Sequence, residues 1–222
     1  MTRIYTLIRD DSQANIEASI TTVGIADTKL PCGNYPVILS VQYTKQDALE
    51  YLNGLGADLD VISENSYSAM HWAVVNNDST ALDYLITNGA DINIKQVKFA
   101  SPFTQGNTPL GMAATRSYNT LMQTLIDASA NVDLKNTCLD TALHLCSRRA
   151  NSTGAQKLID ASANVDLINN AGNTPLHVCA IKDDTTIAQK LVDAGANKAT
   201  TNNDGDTAAD LSGSAGMDTI LA

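Results

Sequence analysis

The side chains best suited to chemistry in this chain are three histidines, four cysteines and a set of evenly spaced aspartates. Histidines and cysteines bind zinc or act as bases and nucleophiles, and paired carboxylates do acid–base work. Their spacing points elsewhere. His144 and His177 stand 33 residues apart, as do Cys146 and Cys179, and Asp127, Asp160 and Asp193 keep the same interval. Residues repeated at that interval fall in equivalent slots of stacked units, whose axes lie about 8–10 Å apart. Two such histidines cannot share a zinc ion with bonds of about 2 Å. Two such cysteines exceed the limit of about 7 Å between Cα atoms for a disulfide. Cys32 and Cys138 share another slot three units apart, which is farther still. No C-x-x-C pair, phosphate-cradling glycine loop, H-E-x-x-H or nucleophile elbow occurs. The residue inventory therefore predicts no catalytic residue, no metal site, no cofactor and no enzyme, with reduced thiols suited to an intracellular, by default cytoplasmic, compartment. A host cytoplasm fits equally if the chain is exported.

The elements that position these residues are repeats. LIDASANVDLKN from Leu125, LIDASANVDLIN from Leu158 and LVDAGANKATTN from Leu191 follow one another at 33-residue steps. GNTPLGMAA from Gly106, LDTALHLCS from Leu139, GNTPLHVCA from Gly172 and GDTAADLSG from Gly205 keep the same step and lead each unit. YSAMHWAV and GNYPVILSV put Ser68 and Tyr35 in the threonine slot. Only one interval breaks step: Ser68 to Thr108 spans 40 residues, so seven extra ones enter there. They fall in KQVKFASPFTQGN, which carries Phe99 and Phe103, the only two phenylalanines. Those rings either fold back on their own repeats or face a partner.

Period and motifs together, T-P-L-H leading and G-A-D-x-N closing, closely resemble the ankyrin repeat family. The resemblance implies an all-α solenoid of stacked helix–turn–helix units with hairpin fingers, about six to seven units. Its expected bounds are a degenerate cap at 1–30 and repeats at 31–63, 64–103, 104–136, 137–169, 170–202 and a partial 203–222. Each unit makes physical sense: Thr174 can cap a first helix, Pro175 suits its first turn, and Gly195 ends the second helix where the backbone turns left-handed. One helix pair cannot bury its own apolar face, so neighbours must stack. Ser129 and Ser162 replace the terminal glycine, Leu139 a finger glycine, and Gly111 and Ile38 the motif histidine. Looser or shifted caps are expected at the serines. The resemblance also implies that the histidines hydrogen-bond locally and brace adjacent repeats. Trp72, in a slot held elsewhere by Met112, Leu145 and Val178, reads as core.

Family members bind other proteins through finger tips and the inner face of the first helices, so the resemblance implies a protein partner. The inner-face slots here are Gln42 and Tyr43, Val75 and Asn76, Thr115 and Arg116, Arg148 and Arg149, Ile181 and Lys182. None is acidic, although the net charge is −10. Arg116, Arg148, Arg149 and Lys182 are expected to take an acidic or phosphorylated partner segment, unless they pair with finger acids such as Asp140. Tyr43, Tyr67, Asn76, Phe99 and Phe103 complete the expected contact set. The acidic balance disfavours nucleic acid, no apolar run approaches a membrane span, and a monomer is expected. Competing readings are the targeting module of a longer enzyme or host-directed microbial effector, and a self-assembling structural solenoid. The end, GDTAADLSGSAGMDTILA, lacks a match to KLVDAGAN and reads as a shortened cap or the edge of a longer protein.

Overall fold

A computed structural model describes residues 29–30, 32–96 and 106–222, and the expected N-terminal cap lies outside that range except for its last two residues. Eleven helices and no strand occur among the described residues. The chain divides into two compact units, Met1–Pro109 and Leu110–Ala222.

In the first unit, α1 (Pro36–Gln42) and α3 (Ala69–Val75) form an inner row, and α2 (Gln46–Gly54) and α4 (Ser79–Thr87) pair with them outside. In the second, α5 (Pro109–Arg116) opens at the boundary. After α6 (Asn119–Asp127), α7 (Ala142–Arg149) packs on α8 (Ser152–Asp160) and on α9 (Pro175–Lys182). The outer helix α8 packs on α6 and on α10 (Thr185–Asp193), and α10 carries the last helix, α11 (Ala215–Leu221). Such helices, seven to nine residues long, are marginal alone. What holds them is burial: Leu143, Cys146, Leu176 and Cys179 of the inner row and Leu125, Leu158, Ile187 and Leu191 of the outer row are essentially inaccessible. Each such aliphatic side chain contributes about 1.5–3 kcal/mol.

The inner helices start where Ser68, Thr141 and Thr174 accept the amide N–H of His71, His144 and His177. Each finger is closed by one backbone bond between residues four apart, as from Asn169 N to Asn173 O at 3.0 Å. The Asn169 side-chain oxygen also accepts the N–H groups of Ala171 and Asn173. At the irregular interval the same bond runs from Gln96 N to Asn107 O at 3.1 Å, across eleven residues. It brackets the place where the seven extra residues enter; Phe99 and Phe103 lie outside the described residues.

Two expectations need correction, and the last unit adds a departure of its own. The caps at Ser129 and Ser162 do not shift: both serines keep the left-handed conformation, φ 66° and 61°, that Gly195 adopts at 87°. The amide of the following residue must return to the helix in every unit (Ala130 N to Leu125 O, Ala163 N to Leu158 O), and that bond fixes the backbone whatever residue occupies it. Trp72 is half-buried, its ring centroid 5.4 Å from that of Tyr67 with the planes tilted by 40°, because its slot on α3 opens towards that ring. The last unit lacks a first helix; its counterpart is a turn at 208–211, ended by Ser212 and Gly213. There Asp210 takes the histidine slot, its carboxylate accepting the N–H and hydroxyl of Thr207.

Candidate functional site

The histidine array is structural. His71 Nδ1 accepts from the N–H and hydroxyl of Ser68, and its Nε2–H donates to the Asn107 carbonyl at 3.0 Å. His144 repeats this with Thr141 and the carbonyl of Asn173, and His177 with Thr174 and the carbonyl of Asp206. Both ring nitrogens are thereby engaged, with none left for a metal or a proton in flight. Burial pushes His71 down to about 4, only partly opposed by its bond to Asn107, and holds His144 low for the same reason. Burial also pushes the thiols of Cys146 and Cys179 up to about 12, whereas Cys32 and Cys138 are exposed. No cluster of three metal-ligating side chains occurs among the described residues. No described helix is long and apolar enough to cross a membrane.

The inner-row helices of the second unit carry the expected cations at their C-terminal ends. Arg116, Arg148, Arg149 and Lys182 are all exposed, in the last turns of α5, α7 and α9. The inner helices bring them to the same end because the 33-residue step returns each slot to the same face. Arg148 is tied down: its Nη2 donates to Asp140 Oδ2 at 2.8 Å, and Asp140, almost fully buried, also accepts from Asn169. Arg116, Arg149 and Lys182 form no ion pair among the described residues.

Beside them a groove of about 450 Å³ runs between the α7–α8 turn, with Arg148, Ala150 and Ser152, and the α9–α10 turn, with Lys182 to Thr186. Its acids already have local work. Asp184 accepts the Ile187 N–H at 3.0 Å as the cap of α10, and Asp183 accepts the Ser214 hydroxyl. The groups free to turn towards a ligand are the Lys182 ammonium, the remaining guanidinium N–H groups of Arg148, and hydroxyls. Such a surface can hold carboxylate or phosphate by charge-assisted hydrogen bonds.

In the first unit the expected contact residues are differently placed. Tyr43 is half-buried at the end of α1. The Asn76 amide donates to the carbonyls of Val41 and Gln42 at 2.8 and 3.2 Å, so it closes the end of α1. Tyr67 is half-buried between Trp72 and the edge of His71, 6.1 Å away. The buried indole N–H of Trp72 meets no acceptor among the described residues. Sequence reasoning passed over the groove hydroxyls and exposed Ile168, and it placed Leu139 and Ile181 in their slots without reading them as exposed aliphatics. For Leu139 the signal was present, as a leucine in a glycine slot.

A family model described as ankyrin repeats (3 copies) matches residues 9–96, 110–202 and 143–220. Among solved structures, the ankyrin repeat domain of Bcl-3, a unique member of the IkappaB protein family, superposes with a TM-score of 0.85. It is 19% identical, and the match covers 100% of this chain and 98% of that one.

Proposed function

Since the chain belongs to the ankyrin repeat family, whose repeats generally mediate protein–protein interaction, we propose that it is a non-enzymatic scaffold. In this reading it takes an acidic or phosphorylated segment of a partner protein on the inner-helix ends of residues 110–222. One observation carries the proposal: Arg116, Arg149 and Lys182, exposed and without ion-pair partners among the described residues, stand one per inner helix in a chain of net charge −10. Arg148 stands with them but shares its charge with Asp140, so its contribution is smaller. Tyr43 and Tyr67 would add contact area in the first unit; Asn76, whose amide is occupied, would add little.

The stacking distance sets the partner's pattern. Inner helices of neighbouring repeats are spaced by about 8–10 Å, and a polyproline II segment, with three residues per turn and a rise of about 3.1 Å each, returns every third side chain to one face about 9 Å further on. Acidic groups at every third residue therefore match one cation per repeat. Fluorescein-labelled peptides with three glutamates at three-residue spacing, compared by anisotropy with equally charged peptides whose glutamates are adjacent, test this. The spaced peptide is expected to bind at least about ten-fold tighter and to weaken with salt as exposed charges do. Equal affinity for both peptides, or full binding by an Arg149→Glu, Lys182→Glu variant, would defeat the proposal.

A further inference from the structure

Leu139 sits in a finger slot that holds glycine in the other repeats of the second unit and at its entrance. Gly106, Gly172 and Gly205 there have φ of 61°, 74° and 89°, and Leu139 keeps φ 57°. An L side chain in this region crowds the following carbonyl, which glycine avoids. The neighbouring finger adds to the crowding. At Gly172 an added Cβ would come within 2.6 Å of the Asn203 amide nitrogen, and Asn170 lies correspondingly beside Leu139, its N–H bonded to the Cys138 carbonyl at 3.0 Å. The leucine gains little burial in return, since it is 42% exposed. A bulky side chain held in a strained backbone region, with no burial to offset it, motivates a contact outside the chain.

The surroundings say what. The next residue, Asp140, is the one that holds Arg148, so one cation of the row stands at the foot of this finger. The adjoining finger presents Ile168, 44% exposed, with its carbonyl held by Lys135 Nζ at 2.8 Å. We propose that Leu139, with Ile168 on the next finger, is an apolar anchor that receives an aliphatic or aromatic side chain standing next to an acid in the partner segment. This rests on the acidic-segment reading above and adds the residue that sets its register.

The test selects random dodecapeptides displayed on phage against the whole chain, then measures the recovered peptides on three variants. Leu139→Gly and Leu139→Asn both accommodate the left-handed backbone while removing the apolar surface. Recovered peptides are expected to pair an aliphatic or aromatic residue with a neighbouring acid. Both Leu139 variants are expected to bind them at least about ten-fold more weakly, while unfolding at the same temperature or up to about 2–4 °C higher. A structural role for Leu139 would instead lower the unfolding temperature, and that result overturns the anchor. If both variants bind as the parent does while Arg149→Glu loses binding, the anchor fails and the acidic-segment reading stands. If Arg149→Glu also binds normally, or no peptide is recovered, both fail. Concentration-dependent self-association that Leu139→Gly abolishes would make a second copy of the chain the occupant and overturn the proposal.

Discussion

The buried histidine of the first unit makes an acid-sensitivity that can be worked out in advance. His71 sits neutral beneath Ser68 and Asn107, with burial holding it near about 4 against 6.5 for the free imidazole. Protonation is thus favoured in the unfolded chain over the whole window between those values, so stability falls as pH drops from about 6.5 towards 4 and is recovered on return to neutrality. Between about pH 7 and pH 5 the linkage amounts to about 2 kcal/mol for this one group. With a urea slope of about 2 kcal/mol per molar, the midpoint moves down by about 1 M. The reporter is built in: Trp72, the single tryptophan, adjoins His71 and lies in the same unit. The comparison is with His71→Gln, whose amide can accept from Ser68 and donate to Asn107 but does not titrate. Other titrating groups contribute to both proteins and cancel in the difference. Wild type should lose about 1 M more than His71→Gln over this range; parallel pH profiles would refute the reasoning.

Thr141→Ala and Thr174→Ala each remove the acceptor of a first-turn amide and a donor to a histidine Nδ1, and each should cost about 1 kcal/mol by chemical denaturation. Ser129→Gly and Ser162→Gly relieve left-handed residues at exposed helix ends, and each should raise stability by about 0.5–1 kcal/mol. Added to the native chain near pH 8, a thiol reagent should modify exposed Cys32 and Cys138 at once. Cys146 and Cys179, buried with thiols pushed up to about 12, should react only at the rate of unfolding.

Much of this was readable because each repeat states the same physics again. A capping threonine, a histidine three residues on, leucine at core spacing and a terminal small residue recur at one step, and agreement across copies removes the ambiguity of any single helix. The structural role of the histidines followed from their shared slot. What the residues could not announce were choices made by neighbours. Asn76 looks like an inner-face contact until α1 is laid beside it with two carbonyls in need of a donor. Arg148 and Arg149 are identical by type, yet only Arg148 lies within reach of buried Asp140. Trp72 occupies a core slot by count but is half-buried against Tyr67. Ser129 shows the reverse, a local preference overruled by the bond that the next amide must make.

The outer ties of the second unit have a consequence for how such a chain can change length. Lys157 Nζ donates to Gln123 and Lys190 Nζ to Gln156, each at 2.7 Å; Asn164 N donates to Asp133 and Asn197 N to Asp166, each at 2.9 Å. Every donor finds its acceptor one step back, and the acceptors are alike. Excision of residues 137–169 would hand Lys190 to Gln123 and Asn197 to Asp133, pairings of the same kind as those removed. The parts are interchangeable at their joints. A gene encoding this array can gain or lose one whole repeat in a single recombination and still specify matched edges, whereas a cut that is not a whole number of repeats leaves its joint facing the wrong residues.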